Sequence, residues 1–280
     1  MKCRFSKFSP IFVLALLPLV TSANPGALEI NQDCAAVGCF AGDTPGFPVT
    51  ITQPGSYILT SDLLTTDVNM DAIDVSVSSV DLDLNGHTLN GGGTCTGTPV
   101  TACSGFAGTS GISAIIGPNT PVVIHIHNGT VHGFSNFGIV VGAAADGTLI
   151  DHISAYENGN SGVAISGTLN VATTARIRDS QISRNKLTGV VSPTASTLLV
   201  ENSTVTGNGQ IGLFFRSASM AVGNRINNNG SQGLYCIGYT CVLGQNVFMG
   251  NNAAGAQFAV GTLSDMGGNV CTDHPSSACP

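Results

Sequence analysis

The chain has no tryptophan, and only 9% of its residues are charged. From Asn24 to Asn160 there is not one Lys or Arg, although that stretch holds twelve carboxylates. An acidic balance of this kind excludes nucleic acid as a partner, because phosphate needs basic side chains against it. After the first 23 residues no segment keeps a 3.6-residue apolar period over a useful length, so an α-helical domain is excluded. No later segment is long and apolar enough to insert in a membrane. There is no CxxC, and no His follows the cysteines at finger-like spacing, which argues against a structural zinc site. GxSxG, HExxH, an Asp-Asp pair and Gly-His-Gly are all missing, and Asp151-His152 is only a fragment of a DPHE-like motif.

What is present begins with a secretory signal. Lys2, Arg4 and Lys7 precede the apolar stretch Ile11 to Val20, and Thr21-Ser22-Ala23 offers small residues for cleavage. An uncleaved anchor is the weaker alternative, since about 20 apolar residues are needed to cross a bilayer. Removing residues 1–23 leaves eight cysteines in four local couples: Cys34/Cys39, Cys95/Cys103, Cys236/Cys241 and Cys271/Cys279. Spacing does not prove connectivity, but four short disulfides in an oxidising compartment is the economical reading. The expected location is secreted: extracellular, cell-surface or periplasmic.

The strongest pattern is a repeat. Asn158/Gly162, Asn185/Gly189, Asn208/Gly212, Asn229/Gly233 and Asn251/Gly255 each place a Gly four residues after an Asn, and Phe134/Gly138 is a degenerate sixth copy. Successive glycines lie 24, 27, 23, 21 and 22 residues apart. Each period holds short apolar-alternating runs, such as Gly162-Val163-Ala164-Ile165 and Ala175 to Arg178, with no room for a crossover helix. A coil of about 22 residues can bury its apolar face only against the coils above and below it, which defines a solenoid. The expected fold is all-β, a single-stranded parallel β-helix of about eight or nine coils. The Asn residues suit buried amides that stack as a ladder at a bend. Gly suits close backbone approach or positive φ. Gly207-Asn208-Gly209-Gln210-Ile211-Gly212 fits GxGxxG, but it belongs to the repeat and opens no helix, so it binds no dinucleotide.

This repeat, together with Ile51-Thr52-Gln53-Pro54-Gly55-Ser56-Tyr57 and Asp81-Leu82-Asp83-Leu84-Asn85-Gly86-His87, resembles the right-handed parallel β-helix proteins of the pectin lyase-like superfamily. The resemblance covers roughly Thr50 to Val260 and implies the right-handed fold. It also implies two kinds of role: processing of acidic polysaccharides by lyases, hydrolases, esterases or epimerases, or non-catalytic work as tail, adhesin or surface proteins. The domain plan is then a signal at 1–23, an N-terminal cap at 24–49, the β-helix at 50–260 with an insertion near 90–110, and a C-terminal cap at 261–280.

Strand alternation points to two outward strips. If Leu82, Leu84, Ile124, Ile126 and Ile177 point inward, then Asp81, Asp83, His125, His127, Arg176 and Arg178 point outward. Asp81/Asp83 should lie beside His125/His127; a coil carrying Thr148 and Ile150 follows, then Arg176/Arg178, then Glu201. Asp81 and Asp83 are the expected metal ligands, with Ca²⁺ the cation their oxygens would suit. Arg176, Arg178, His125 and His127 are the candidate catalytic side chains, as base or anion clamp for a uronate undergoing β-elimination. The second strip is Val140, Ala164, Val191, Phe214, Tyr235 and Gln257, where Phe214, Tyr235 and nearby Arg216 would bind sugar. The competing view is that both strips are only the wet face of a scaffold, which fits a non-catalytic structural or adhesive protein.

Overall fold

The computed structural model describes residues 26–117, 122–142, 147–166, 173–192, 196–252 and 255–272. The signal-like segment 1–23 and Cys279 lie outside the described residues. The described chain is a right-handed parallel β-solenoid of about eight turns, with a four-residue α-helix at Gln32–Ala35. No described helix is long and apolar enough to cross a membrane.

Each coil passes through three faces. A glycine face stacks Val49–Ile51, Ile73–Val75, Ile112–Ala114, Ile139–Val141, Ser161–Ile165, Thr188–Ser192, Leu213–Phe215 and the start of Leu234–Gly244. A charged face stacks Gly55–Leu59, Val80–Asp83, the first halves of Ile124–His132 and Thr148–Tyr156, then Thr173–Arg178, Ser196–Glu201 and Met220–Val222. A third face stacks Thr88–Asn90, the second halves of those two long strands, Gln181–Ser183, Thr204–Thr206, Arg225–Asn227 and Val247–Met249. Alternation sends one side chain in and the next out, so each level adds one inward apolar row per face. On the charged face that row is Leu82, Ile126, Ile150, Ile177, Val200 and Ala221, all buried and in direct register. On the third face Phe248, not Val247, takes the inward place beside Ile226; Val247 is exposed.

The bends explain the polar corners. Between the charged and third faces the chain turns through a left-handed residue at each level: Asn85, Asn128, His152, Asp179, Asn202 and Gln245. Asn and Asp take that conformation at lower cost than branched residues, because their short polar side chains can bond locally. At the corner leading back to the glycine face, the expected amide ladder is present. The backbone N–H of Asn158 donates to Asn185 Oδ1 at 3.1 Å, Asn185 to Asn208 at 3.0 Å, Asn208 to Asn229 at 3.1 Å and Asn229 to Asn251 at 3.1 Å. Phe134, the degenerate copy, begins the series by donating its N–H to Asn158 Oδ1. A second ladder, not read from the sequence, runs Ser180, Ser203, Asn224, Asn246 and Asn269 just past the other bend.

The repeat glycine is explained by close approach. A Cβ on Gly212 would lie 2.5 Å from the Gly233 carbonyl oxygen and 2.9 Å from Asn229 Nδ2. Gly and Asn therefore belong to one device: the amide and the next glycine's carbonyl occupy the space a side chain would fill.

Disulfides close Cys34–Cys39, Cys95–Cys103 and Cys236–Cys241. The insertion forms an antiparallel hairpin, Thr94–Gly97 with Val100–Ser104, that lies back against the third-face corner. Arg184 clamps it, donating to the carbonyls of Cys95 and Gly97 and to Thr98 Oγ1. Stacking continues beyond Val260: Thr262 to Asp265 pair with Thr240 to Leu243, and Val270–Thr272 with Val247–Met249.

Candidate functional site

The register brings the charged residues together. His125 lies opposite Asp81 and His127 opposite Asp83. On the next coil Leu149 and Asp151 occupy those positions, followed by Arg176 and Arg178, then Leu199 and Glu201. This corrects the expected intermediate coil. Thr148 and Ile150 are buried, and the Thr148 hydroxyl donates inward to the Val122 carbonyl. The glycine ruler carried the right answer, since the 24 residues from Gly138 to Gly162 also separate His127 from Asp151.

Asp151 is the centre of the strip, its side chain only 6% exposed. His125 Nε2 lies 2.8 Å from Asp151 Oδ1, while Arg178 donates from Nη2 and Nε to Asp151 Oδ2 at 2.9 and 3.3 Å. Burial alone would push this carboxyl up, but the hydrogen bonds from His125 and Arg178 outweigh it and hold the pKa below the ordinary range. His125 Nδ1 points the other way, 2.9 Å from Asp81 Oδ1. His127 Nε2 is 3.3 Å from the same oxygen, and the two imidazoles stack with centroids 4.1 Å apart. Arg176 is ion-paired to Glu201, and that hydrogen bond raises its pKa further.

The two expected metal carboxylates do not converge on one point. Asp81 Oδ1 faces two imidazole nitrogens, whereas Asp83 Oδ1 accepts from the Asn85 N–H at 2.8 Å and the Asn128 amide at 3.2 Å. Ca²⁺ takes six to eight oxygens. A nitrogen-rich set of this kind does not fit it.

The second strip differs along its length. Val140 and Ala164 are buried, at 6% and 5% exposure. The column opens at Phe214 and Tyr235, whose rings stack with centroids 5.3 Å apart and 12° between planes. The Arg216 guanidinium lies over the Phe214 ring at 4.7 Å, a cation–π contact. Exposed Ile237 and Tyr239 line a shallow hollow beside Arg216. Gln257 is not in this column: Ala259 follows Tyr235 in register, and buried Gln257 ends the amide ladder by accepting from Asn251.

A third group went unread in the sequence. His132 and Tyr156 stack on the third face with centroids 4.7 Å apart, next to the Glu157–Arg184 ion pair. Burial lowers the His132 pKa against the pull of Glu157, and burial together with Glu157 raises that of Tyr156. Neither residue belongs to a motif, and only the coil register brings them together.

Comparison with known proteins agrees with the fold. The sequence matches the right-handed β-helix region family over residues 72–220 and 174–278, and the chain belongs to that family. Solved structures with similar coils include the Dettilon tailspike protein, at 15% identity and a TM-score of 0.40, covering 77% of this chain and 56% of that one. Another is the A-module of the mannuronan C-5 epimerase AlgE4 of Azotobacter vinelandii, at 14% identity and a TM-score of 0.41, covering 84% and 70%. Tailspike protein 2 of Escherichia coli O157:H7 bacteriophage CAB120 matches at 12% identity and a TM-score of 0.36, covering 80% and 37%. The chain thus spans about half the length of the first tailspike. No match was found among curated proteins.

Proposed function

We propose that this chain is a secreted β-helix that binds an acidic extracellular or cell-surface polysaccharide. The observation that carries the reading is the Phe214–Tyr235 stack with Arg216 over it: two sugar-sized apolar planes beside a cation that suits a uronate carboxylate. Three disulfides support an oxidising destination. Arg176 and Arg178 extend the positive surface on the neighbouring face, as anion clamps. Processing by β-elimination would need one of them to accept the α-proton, with His125 or His127 assisting. Arg176 is poorly disposed to do so, because its pairing with Glu201 favours the protonated form. That pairing favours binding over catalysis, and it equally favours the second reading, a non-catalytic adhesive or structural surface protein.

The test is binding of the mature protein to pectate, alginate and glycosaminoglycans, with the ultraviolet absorbance of an unsaturated product followed in parallel. Phe214→Ala and Tyr235→Ala should each weaken retention on the bound polymer by about 5- to 50-fold, the scale of a lost stacking contact of about 1–2 kcal/mol. Retention on no polymer, or retention indifferent to both variants, would remove the polysaccharide reading. Product formation that is lost in Arg178→Ala would establish the lyase version.

A further inference from the structure

We propose that Asp81, His125 and His127 form a binding site for a divalent transition-metal ion of the zinc class. Three donor atoms converge there: Asp81 Oδ1, His125 Nδ1 and His127 Nε2, all within 4.8 Å of one another. The backbone dictates the grouping. His125 and His127 share one side of a strand, two residues apart, and the coil below places Asp81 directly opposite His125.

Three further observations turn the cluster into a site. First, His127 Nε2 is shielded from solvent and makes no hydrogen bond, although Asp81 lies 3.3 Å away. A buried polar atom left without a partner costs free energy, and a cation at the shared focus would supply one. Second, His125 is already oriented as a metal ligand. Its Nε2 faces the buried Asp151 carboxylate at 2.8 Å, and Arg178 fixes that carboxylate from the other side. A carboxylate on one imidazole nitrogen fixes the tautomer that leaves the opposite nitrogen free to coordinate. Third, the focus is open on one side: the Asp81 side chain is 47% exposed and that of His125 35%. Two His and one carboxylate leave a coordination position for water or a ligand oxygen.

The chemistry of the donors selects the ion. Imidazole nitrogens suit zinc, copper, iron and nickel, whereas calcium and magnesium prefer oxygen alone. Tetrahedral ligands about 2.0–2.1 Å from zinc stand about 3.4 Å from one another. The observed set therefore closes by rotation of the stacked rings toward a common point, with no movement of backbone. His127 would then carry its proton on Nδ1, where Asp83 Oδ1 lies 3.7 Å away and the Asn128 amide 2.7 Å. Rotation of that amide presents its oxygen to the proton.

The test uses untagged mature protein stripped with a chelator and titrated with Zn²⁺ by calorimetry, then with Co²⁺ by visible absorption. One equivalent should bind at micromolar affinity or tighter, and Co²⁺ should show the intense bands of a four-coordinate ion. His127→Ala and Asp81→Asn should each weaken binding at least 100-fold; the isosteric Asp81→Asn keeps the test decisive if His127→Ala misfolds. Asp151→Asn should weaken binding about 10- to 100-fold through His125. Arg225→Ala, on another face, should leave it unchanged. Absence of stoichiometric binding in the wild type would overturn the proposal, as would binding indifferent to His127→Ala and Asp81→Asn together. Because no polysaccharide enters this titration, its outcome is independent of the polymer-binding assay.

Discussion

The corner column Asn158, Asn185, Asn208, Asn229 and Asn251 and the charged column Asp81 to Glu201 climb the same coils, but one repeats a single residue and the other keeps changing. The corner amides are fully buried, and each satisfies the backbone of its neighbour. The charged column runs acid, imidazole, acid, guanidinium, acid, and much of it is half exposed. A solenoid needs the same bend solved at every level, so scaffold positions converge on one answer. A site needs different groups brought to one place, so its positions diverge. In a repeat protein, departure from the repeat at an outward register position is the more informative signal.

The comparison is broken most severely at the ladder. Asn208→Leu removes the acceptor for the Asn185 N–H and strands the carbonyl of Ile182 and the N–H of Asn208 in the core. Each stranded group costs about 1–3 kcal/mol, so a loss of about 3 kcal/mol or more is expected. Chemical denaturation followed by circular dichroism measures it. A loss below about 1 kcal/mol would mean that the ladder is ornament and the apolar rows alone hold the coils.

The charged column should respond differently. Arg176 is 47% exposed and its contact is with Glu201, an ion pair of the kind worth about 0–1 kcal/mol. Arg176→Ala should therefore cost at most about 1 kcal/mol in the same denaturation experiment. A double-mutant cycle with Glu201→Gln should return a coupling of similar size that shrinks in high salt. A coupling of several kcal/mol would make this column structural too, and would erase the distinction between the two.

Legibility in the sequence follows the same line. The fold could be read because Asn, Gly and the apolar rows recur at every level, and recurrence needs no knowledge of side-chain direction. The Asp81–His125 and Asp83–His127 neighbours, Arg176/Arg178 and the Phe214–Tyr235 stack followed once the ruler was laid down. Asp151 was missed because a shift of one residue exchanges the buried and exposed sets of a strand, and Thr148 and Ile150 look no more inward than Leu149. Gln257 was misplaced because its amide serves the ladder from outside the Asn position. The His132–Tyr156 pair and the Ser180–Asn269 ladder have no sequence signal, since each mixes residue types across coils.

The finest contrast lies between two aspartates. Asp151 is surrounded by cationic or imidazole partners, whereas Asp74 on the glycine face sits near another carboxyl, Asp71, in a stretch without Lys or Arg. Burial, with Asp71 second, raises the Asp74 pKa. A carboxyl whose folded pKa exceeds its unfolded value of about 3.9 binds more protons when folded, so it favours the folded state at low pH. That contribution is lost as pH rises through the folded pKa, and above it the buried charge is a net penalty. Asp74→Asn removes the penalty without removing the shape. Its Tm should rise by a few degrees at pH 7, and the gain should vanish by about pH 4, where both forms are neutral. An unchanged or lower Tm at pH 7 would show that the Asp74 carboxylate has a compensating partner, and that acidic residues off the charged face are as well supported as those on it.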